Sequence, residues 1–224
     1  MRMPPADSSP ETIYTEYGQY HLARLRADKN LKDVADGFEK VQGRLKARLD
    51  ALENAHTSVV TAGAIRDGED EALDEAVRGL SSEILGMVNN NRKSPLYVKY
   101  FPQGTTPVVV APLEDEMRKV GVILGLLAQE TNLKLVGHAG PIQAALDRLA
   151  AAISAHKAAM TAENQVDGLL KAEKLNWLDA YKLDYKAIGH VYYNDDKKVD
   201  SFFRPAAKTK KNNGGGGAPT APKA

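Results

Sequence analysis

RLDALENAHTSVVTAGAIRDG, residues 48–68, aligns without a gap with RLAAAISAHKAAMTAENQVDG, residues 148–168. Nine of the 21 positions are identical: Arg48/Arg148, Leu49/Leu149, Ala51/Ala151, Ala55/Ala155, His56/His156, Thr61/Thr161, Ala62/Ala162, Asp67/Asp167 and Gly68/Gly168. Upstream, NLKDV (30–34) matches NLKLV (132–136) once a two-residue shift is allowed. A period of about 100 residues reads as an internal duplication, so the fold is read one copy at a time.

In the first copy apolar residues recur at Leu31, Val34, Phe38, Val41, Leu45, Leu49, Leu52, His56 and Val59, in steps of three and four. That spacing predicts a long amphipathic helix, with a stutter at 41–45–49. Gly68 and the acids Glu69, Asp70 and Glu71 predict a turn, followed by a return arm carrying Leu73, Val77, Leu80, Ile84 and Met87. The second copy repeats the scheme. Ile142, Leu146, Leu149, Ile153, His156 and Met160 form one stripe, ENQVDG is the expected turn, and Ala172, Leu175, Leu178, Tyr181, Tyr185 and Ile188 line the return arm. Pro141 suits the first turn of its helix. Between the copies, LEDEMRKVGVILGLLAQETNL (113–133) begins acidic and becomes apolar on nearly every side, which predicts a central helix.

The expected fold is therefore all-α: duplicated antiparallel helical hairpins forming one multi-helix bundle with a flexible C-terminal tail. Residues 1–10 read as a disordered start and 11–93 as the first repeat. A Pro/aromatic connection follows at 94–112, then the second repeat at 113–190, an aromatic and basic extension at 191–204, and a disordered tail at 205–224.

Composition agrees with helices. The chain is 43% hydrophobic and only 6% aromatic, with Ala, Leu and Val dominating. With no cysteine, disulfides and thiolate chemistry are excluded. The N-terminal MRMPPADSSPET lacks the apolar stretch of a secretory signal, and a cytoplasmic location is the expectation. VGVILGLLA (120–128) is about half the ~20 residues that span a bilayer, so no membrane crossing is expected. Four of the 30 basic residues fall in 205–224, which holds no acid, leaving 26 basic against 29 acidic. That balance is unlike the basic face of a nucleic-acid binder, and nucleic acid is not an expected partner.

Three stretches could carry function. His56 and His156 occupy equivalent stripe positions, and Glu53 precedes His56 at Glu-x-x-His spacing, which in carboxylate-bridged bundles places ligands on one helix face. Ile153 stands where the second copy would need a glutamate, so packing is the leading account of these residues. Metal binding through His56, His156 and Glu53 is the second. The Pro-rich 94–112 segment carries Tyr97, Tyr100 and Phe101, and 199–206 carries Phe202 and Phe203; the leading account is that both segments wrap the bundle ends and cover its core, and the second is a paired recognition surface, since exposed aromatics beside a polar rim are what interfaces use. Lys208, Lys210 and Lys211 give the tail weak, salt-sensitive attraction to anions. Trp177 and Tyr181, four apart, read as a core pair. No nucleophile, base or phosphate-cradling motif is readable. The expected function is that of a non-enzymatic structural or protein-interaction module, binding a protein partner or a second copy, with no cofactor. A metal- or small-molecule-binding bundle is the alternative.

Overall fold

The computed structural model describes residues 3–193 and 195–205. Ser9 caps a helical turn, α1 (Pro10–Thr12), by accepting from the Thr12 amide. A π-helical turn (Ile13–Gly18) leads into α2 (Gln19–Arg26), and a 3-10 turn (Lys29–Leu31) into α3 (Lys32–Met87). Five shorter or longer helices follow: α4 (Pro95–Tyr100), α5 (Thr106–Val109), α6 (Leu113–Leu127), α7 (Leu133–Val136) and α8 (Ala139–Val191). The last is α9 (Asp196–Ser201). No strand occurs among the described residues, and the chain there is all-α.

The two expected hairpins are replaced by two uninterrupted helices of 56 and 53 residues. Gly68 and Gly168 lie inside α3 and α8, and neither turn forms. The reason is a seven-residue period of seam positions, buried at both ends of the run and half-open in the middle. From the end of the 3-10 turn through α3, Leu31, Phe38, Leu45, Leu52, Val59, Arg66, Leu73 and Leu80 follow at intervals of seven, with Ala35, Gln42, Leu49, His56, Gly63, Asp70, Val77 and Ile84 interleaved. This is a heptad pattern without a stutter. Val41 is only half-buried, and the position the helix buries instead is Gln42, 3% exposed. The acids after Gly68 find partners without a turn: Glu69 accepts from Arg148 at 2.8 Å and Asp74 from Arg78 at 2.8 Å. A glycine inside a helix costs about 1 kcal/mol, which a continuing seam offsets. The helix stops where Asn89 and Asn90 adopt φ of 52° and 60°, with the Asn90 amide returning to the Leu85 carbonyl.

α8 keeps the same period through Ile142, Leu149, His156, Glu163, Leu170, Trp177 and Asp184. Met160 and Leu175, expected on its stripe, fall outside this register and are exposed.

The described contacts divide the chain into two compact units. One comprises the described residues up to Leu49 and from Leu170 onward; the other is Asp50–Leu169. Both boundaries fall inside long helices, and the 94–112 connection belongs wholly to the second unit. In the first unit Trp177 stacks on Tyr181 with ring centroids 4.8 Å apart, and Phe38 meets Trp177 edge-on at 5.5 Å. Gln42 ties this core together: its amide accepts from Trp177 Nε1 at 2.7 Å and donates to the Tyr14 carbonyl at 2.8 Å. The Gln42 side chain lies so close over Gly18 that a Cβ there would stand 2.2 Å from it, which is why the π-helical turn ends on glycine. In the second unit Leu73, Val77, Leu80 and Ile84 of α3 pack with Val120, Ile123 and Leu127 of α6 and Ile142, Ala145 and Leu149 of α8.

Gly68→Ala separates a straight helix from a turn. Nothing lies within 4 Å of a Cβ at this position, so the substitution should stabilise the protein by about 0.5–1 kcal/mol in urea denaturation. A loss of stability would mean that Gly68 needs a conformation alanine cannot adopt.

Candidate functional site

Most of the repeated segments 48–68 and 148–168 lies in the second unit, and there the copies answer one another. His56 Nδ1 lies 2.8 Å from Glu163 Oε1. In the equivalent position of the other copy, His156 Nε2 would lie 3.5 Å from a Cβ on Gly63, while its Nδ1 is 3.2 Å from Arg66 Nη1. Each histidine faces the opposite helix and neither bonds the other. Glu53 is exposed, and its backbone carbonyl accepts from Thr57. His56, His156 and Glu53 are thus not brought together, and among the described residues no group of three or more such side chains could hold a metal ion. The His56 pair is largely exposed, its imidazole side chain 67% so, and ion pairs of this kind contribute about 0–1 kcal/mol.

Both aromatic segments turn their rings inward. Tyr97, Tyr100, Phe101, Phe202 and Phe203 are each 3% exposed or less. Ser94 caps α4 by accepting from the Tyr97 amide, which aims Tyr97 and Tyr100 into the second unit. Tyr97 Oη lies 3.1 Å from Thr105 Oγ1 and 3.4 Å from Ser81 Oγ. Tyr100 donates to Glu130 Oε2 at 2.9 Å, beside Lys99 at 3.0 Å. These donors, with the Asn132 and Thr131 amides, pull the Glu130 carboxyl down to about 2. The 94–112 segment is a lid on a core, and rings this deeply buried cannot meet a partner without opening it. The tail lysines Lys208, Lys210 and Lys211 lie outside the described residues.

Two polar clusters were not anticipated. In the first unit His21 is fully buried; its Nδ1 lies 2.9 Å from the Phe202 carbonyl and its Nε2 3.1 Å from Asp184 Oδ2. A carbonyl only accepts, so Nδ1 carries a hydrogen, and the Nε2 contact requires a further proton shared with Asp184. Burial pushes the Asp184 carboxyl up, which suits that sharing. His21 therefore anchors the segment after α9, helped by Tyr20 and Arg24, which both donate to the Ser201 carbonyl. Among the described residues the polar partners of the imidazole are the Phe202 carbonyl and Asp184, and the pair is a clasp.

The second cluster joins Glu116 of α6 to Asp70 and Asp74 of α3. Glu116 is 1% exposed, and Oε1 of Glu116, Oδ1 of Asp70 and Oδ1 of Asp74 are buried without a hydrogen-bond donor. Three ionised carboxylates offer each other only acceptors. Burial, followed by the charges of Asp70 and Asp74, raises Glu116 to about 8, so near neutral pH it holds a proton it can donate to a neighbour. Asp74 is raised as well, first by burial. This acid was legible: Glu116, Val120, Ile123 and Leu127 share one helical stripe. His21 offered no such signal, because its partners lie 163 and 181 positions away.

Comparison of the chain with models of protein families, with curated proteins and with solved structures returns no match. No helix among the described residues is long and apolar enough to cross a membrane.

The Glu116 cluster makes stability depend on pH with a definite sign. The folded state holds a proton that the unfolded chain releases near 4.5, so stability should fall as pH rises from about 4.5 to about 8. Glu116→Gln keeps a donor and removes the charge. It should flatten that decline and, at pH 9, exceed the parent by about 2 kcal/mol in chemical denaturation. Parallel pH profiles for the two proteins would show that Glu116 is ionised throughout.

Proposed function

We propose that the protein is a non-enzymatic helical module that acts by binding another protein or a second copy of itself. The observation that carries this reading is the thin seam of the second unit. Across residues 50–69 of α3 and 153–169 of α8 no side chain is fully buried, whereas Leu73, Val77 and Leu80 just beyond are 0% exposed. Among the half-buried residues here, Ala55, Ala62, Gly63 and Ala159 are small, beside Val59 and Val166, and leave room for a further helix to approach. Val60 and Met160, equivalent in the duplication, stand beside it 59% and 46% exposed, with Ile65 at 56% and Leu169 at 48%. Exposed apolar side chains flanking a half-covered helix pair are material for an interface.

The test uses the full chain and a Val60→Glu, Met160→Glu double variant, whose positions are open enough to leave the helices intact. Sedimentation should reveal concentration-dependent association, or affinity capture from host lysate should retrieve a protein partner, and the double variant should abolish the binding with its circular dichroism unchanged. A chain that stays monomeric and retrieves the same background with or without the two glutamates would overturn the reading.

A further inference from the structure

The 94–112 segment and α6 enclose a cleft of about 300 Å³ in the second unit, open on one side. Its apolar surface includes the buried Val108 and Ile123 and the 57% exposed Val122. Gly104, at φ 87°, lets the Pro102–Gly104 turn fold over one edge. Three cations, Lys99, Arg118 and Lys119, stand on the lining, and no acid does. The acids that pair with them lie off the lining: Glu130 is 3.0 Å from Lys99, and Asp115, bonded to Arg118, is 2.7 Å from Lys119. Lys119 also donates to the Pro107 carbonyl at 2.6 Å, which holds the wall in place. Arg118 is the most accessible of the three, its side chain 67% exposed against 39% for Lys99 and 30% for Lys119.

We infer that this cleft binds a small amphipathic carboxylate, its aliphatic body on Val108, Val122 and Ile123 and its carboxylate at Arg118 and Lys119. An apolar pocket with a few convergent charges is how small-ligand sites combine affinity with orientation. The one-sided charge selects an anion over a cation or a neutral amphiphile of the same length. A volume of about ten water molecules suits a medium-length alkyl chain. Exposed ion pairs such as Arg118–Asp115 contribute little, so an incoming carboxylate displaces or joins Asp115 at small cost, and an arginine offers it a two-pronged hydrogen bond.

The experiment titrates the isotope-labelled full chain with decanoate below its micelle-forming concentration, and in parallel with decanol and decylammonium, following backbone amide shifts. Decanoate should move amides within 99–126 and bind about tenfold more tightly than either analogue. Arg118→Gln should weaken decanoate about tenfold and leave decanol unchanged. Val122→Asp should remove binding of both. Equal affinity for decanoate and decylammonium, shifts confined to other residues, or an Arg118→Gln protein that binds decanoate as the parent does would each overturn the assignment.

Discussion

A seven-residue register is the constraint on which the structure depends. An α-helix turns every 3.6 residues, so a stripe repeating every 3.5 drifts slowly unless paired helices coil about one another to keep it facing inward. The register runs from Leu31, just before α3, to Ile84 and in α8 from Ile142 to Asp184, without an inserted or missing residue. In each unit the shorter elements pack on these two helices: α2 and α9 reach their places through His21 and Ser201 in the first, α4 and α6 through Tyr97, Val120 and Ile123 in the second. One residue inserted into α3 would turn every later seam position about 100° away from its partners.

The seam is not uniformly apolar, and its polar positions are distributed with physical consequence. Gln42 is bonded at both ends of its amide, to an indole N–H on one side and a backbone carbonyl on the other. Shifting α3 against α8 by one heptad would leave Trp177 Nε1 buried without an acceptor, costing about 1–3 kcal/mol, so Gln42 disfavours the wrong alignment. Asp70 sits on the same register, but beside Asp74 and Glu116, where the only relief is a shared proton. His56 and Glu163 meet where the seam is open to water and their pairing is screened. The same positional role thus carries three different energetic outcomes, set by what lies across the seam and by how much water reaches it.

The all-α class and the helical stripes were legible because the periodicity of Leu and Val survives any arrangement of the helices. The continuity of α3 and α8 was harder to see. From 56 to 70 the register positions are His56, Val59, Gly63, Arg66 and Asp70, and after Val59 a hydrophobicity pattern reads an interruption; the acids after Gly68 then imitate a helix start. The duplication itself encouraged the error, since copies 100 residues apart suggest two self-contained hairpins. In the structure the copies lie on different long helices and face each other, with His56 opposite Glu163 and His156 opposite Gly63. The aromatic segments admit two readings in sequence, a cover over the core or an exposed surface, because proline-rich connections occur in both settings; in the structure Ser94 and Tyr97 turn 94–112 inward. The cleft lined by Lys99 and Arg118 depends on side chains 19 positions apart meeting across a fold, which no local pattern encodes.

The chain holds one tryptophan, Trp177, fully buried among Phe38, Tyr181 and Gln42 in the first unit. Its fluorescence is therefore a private reporter for that unit and is blind to Asp50–Leu169, whereas helical circular dichroism counts every turn of α3 and α8 alike. Two optical signals recorded on one sample thus divide the molecule. Superimposable transitions describe a single cooperative block, and a fluorescence change detached from the loss of ellipticity resolves the melting of one core from that of the other.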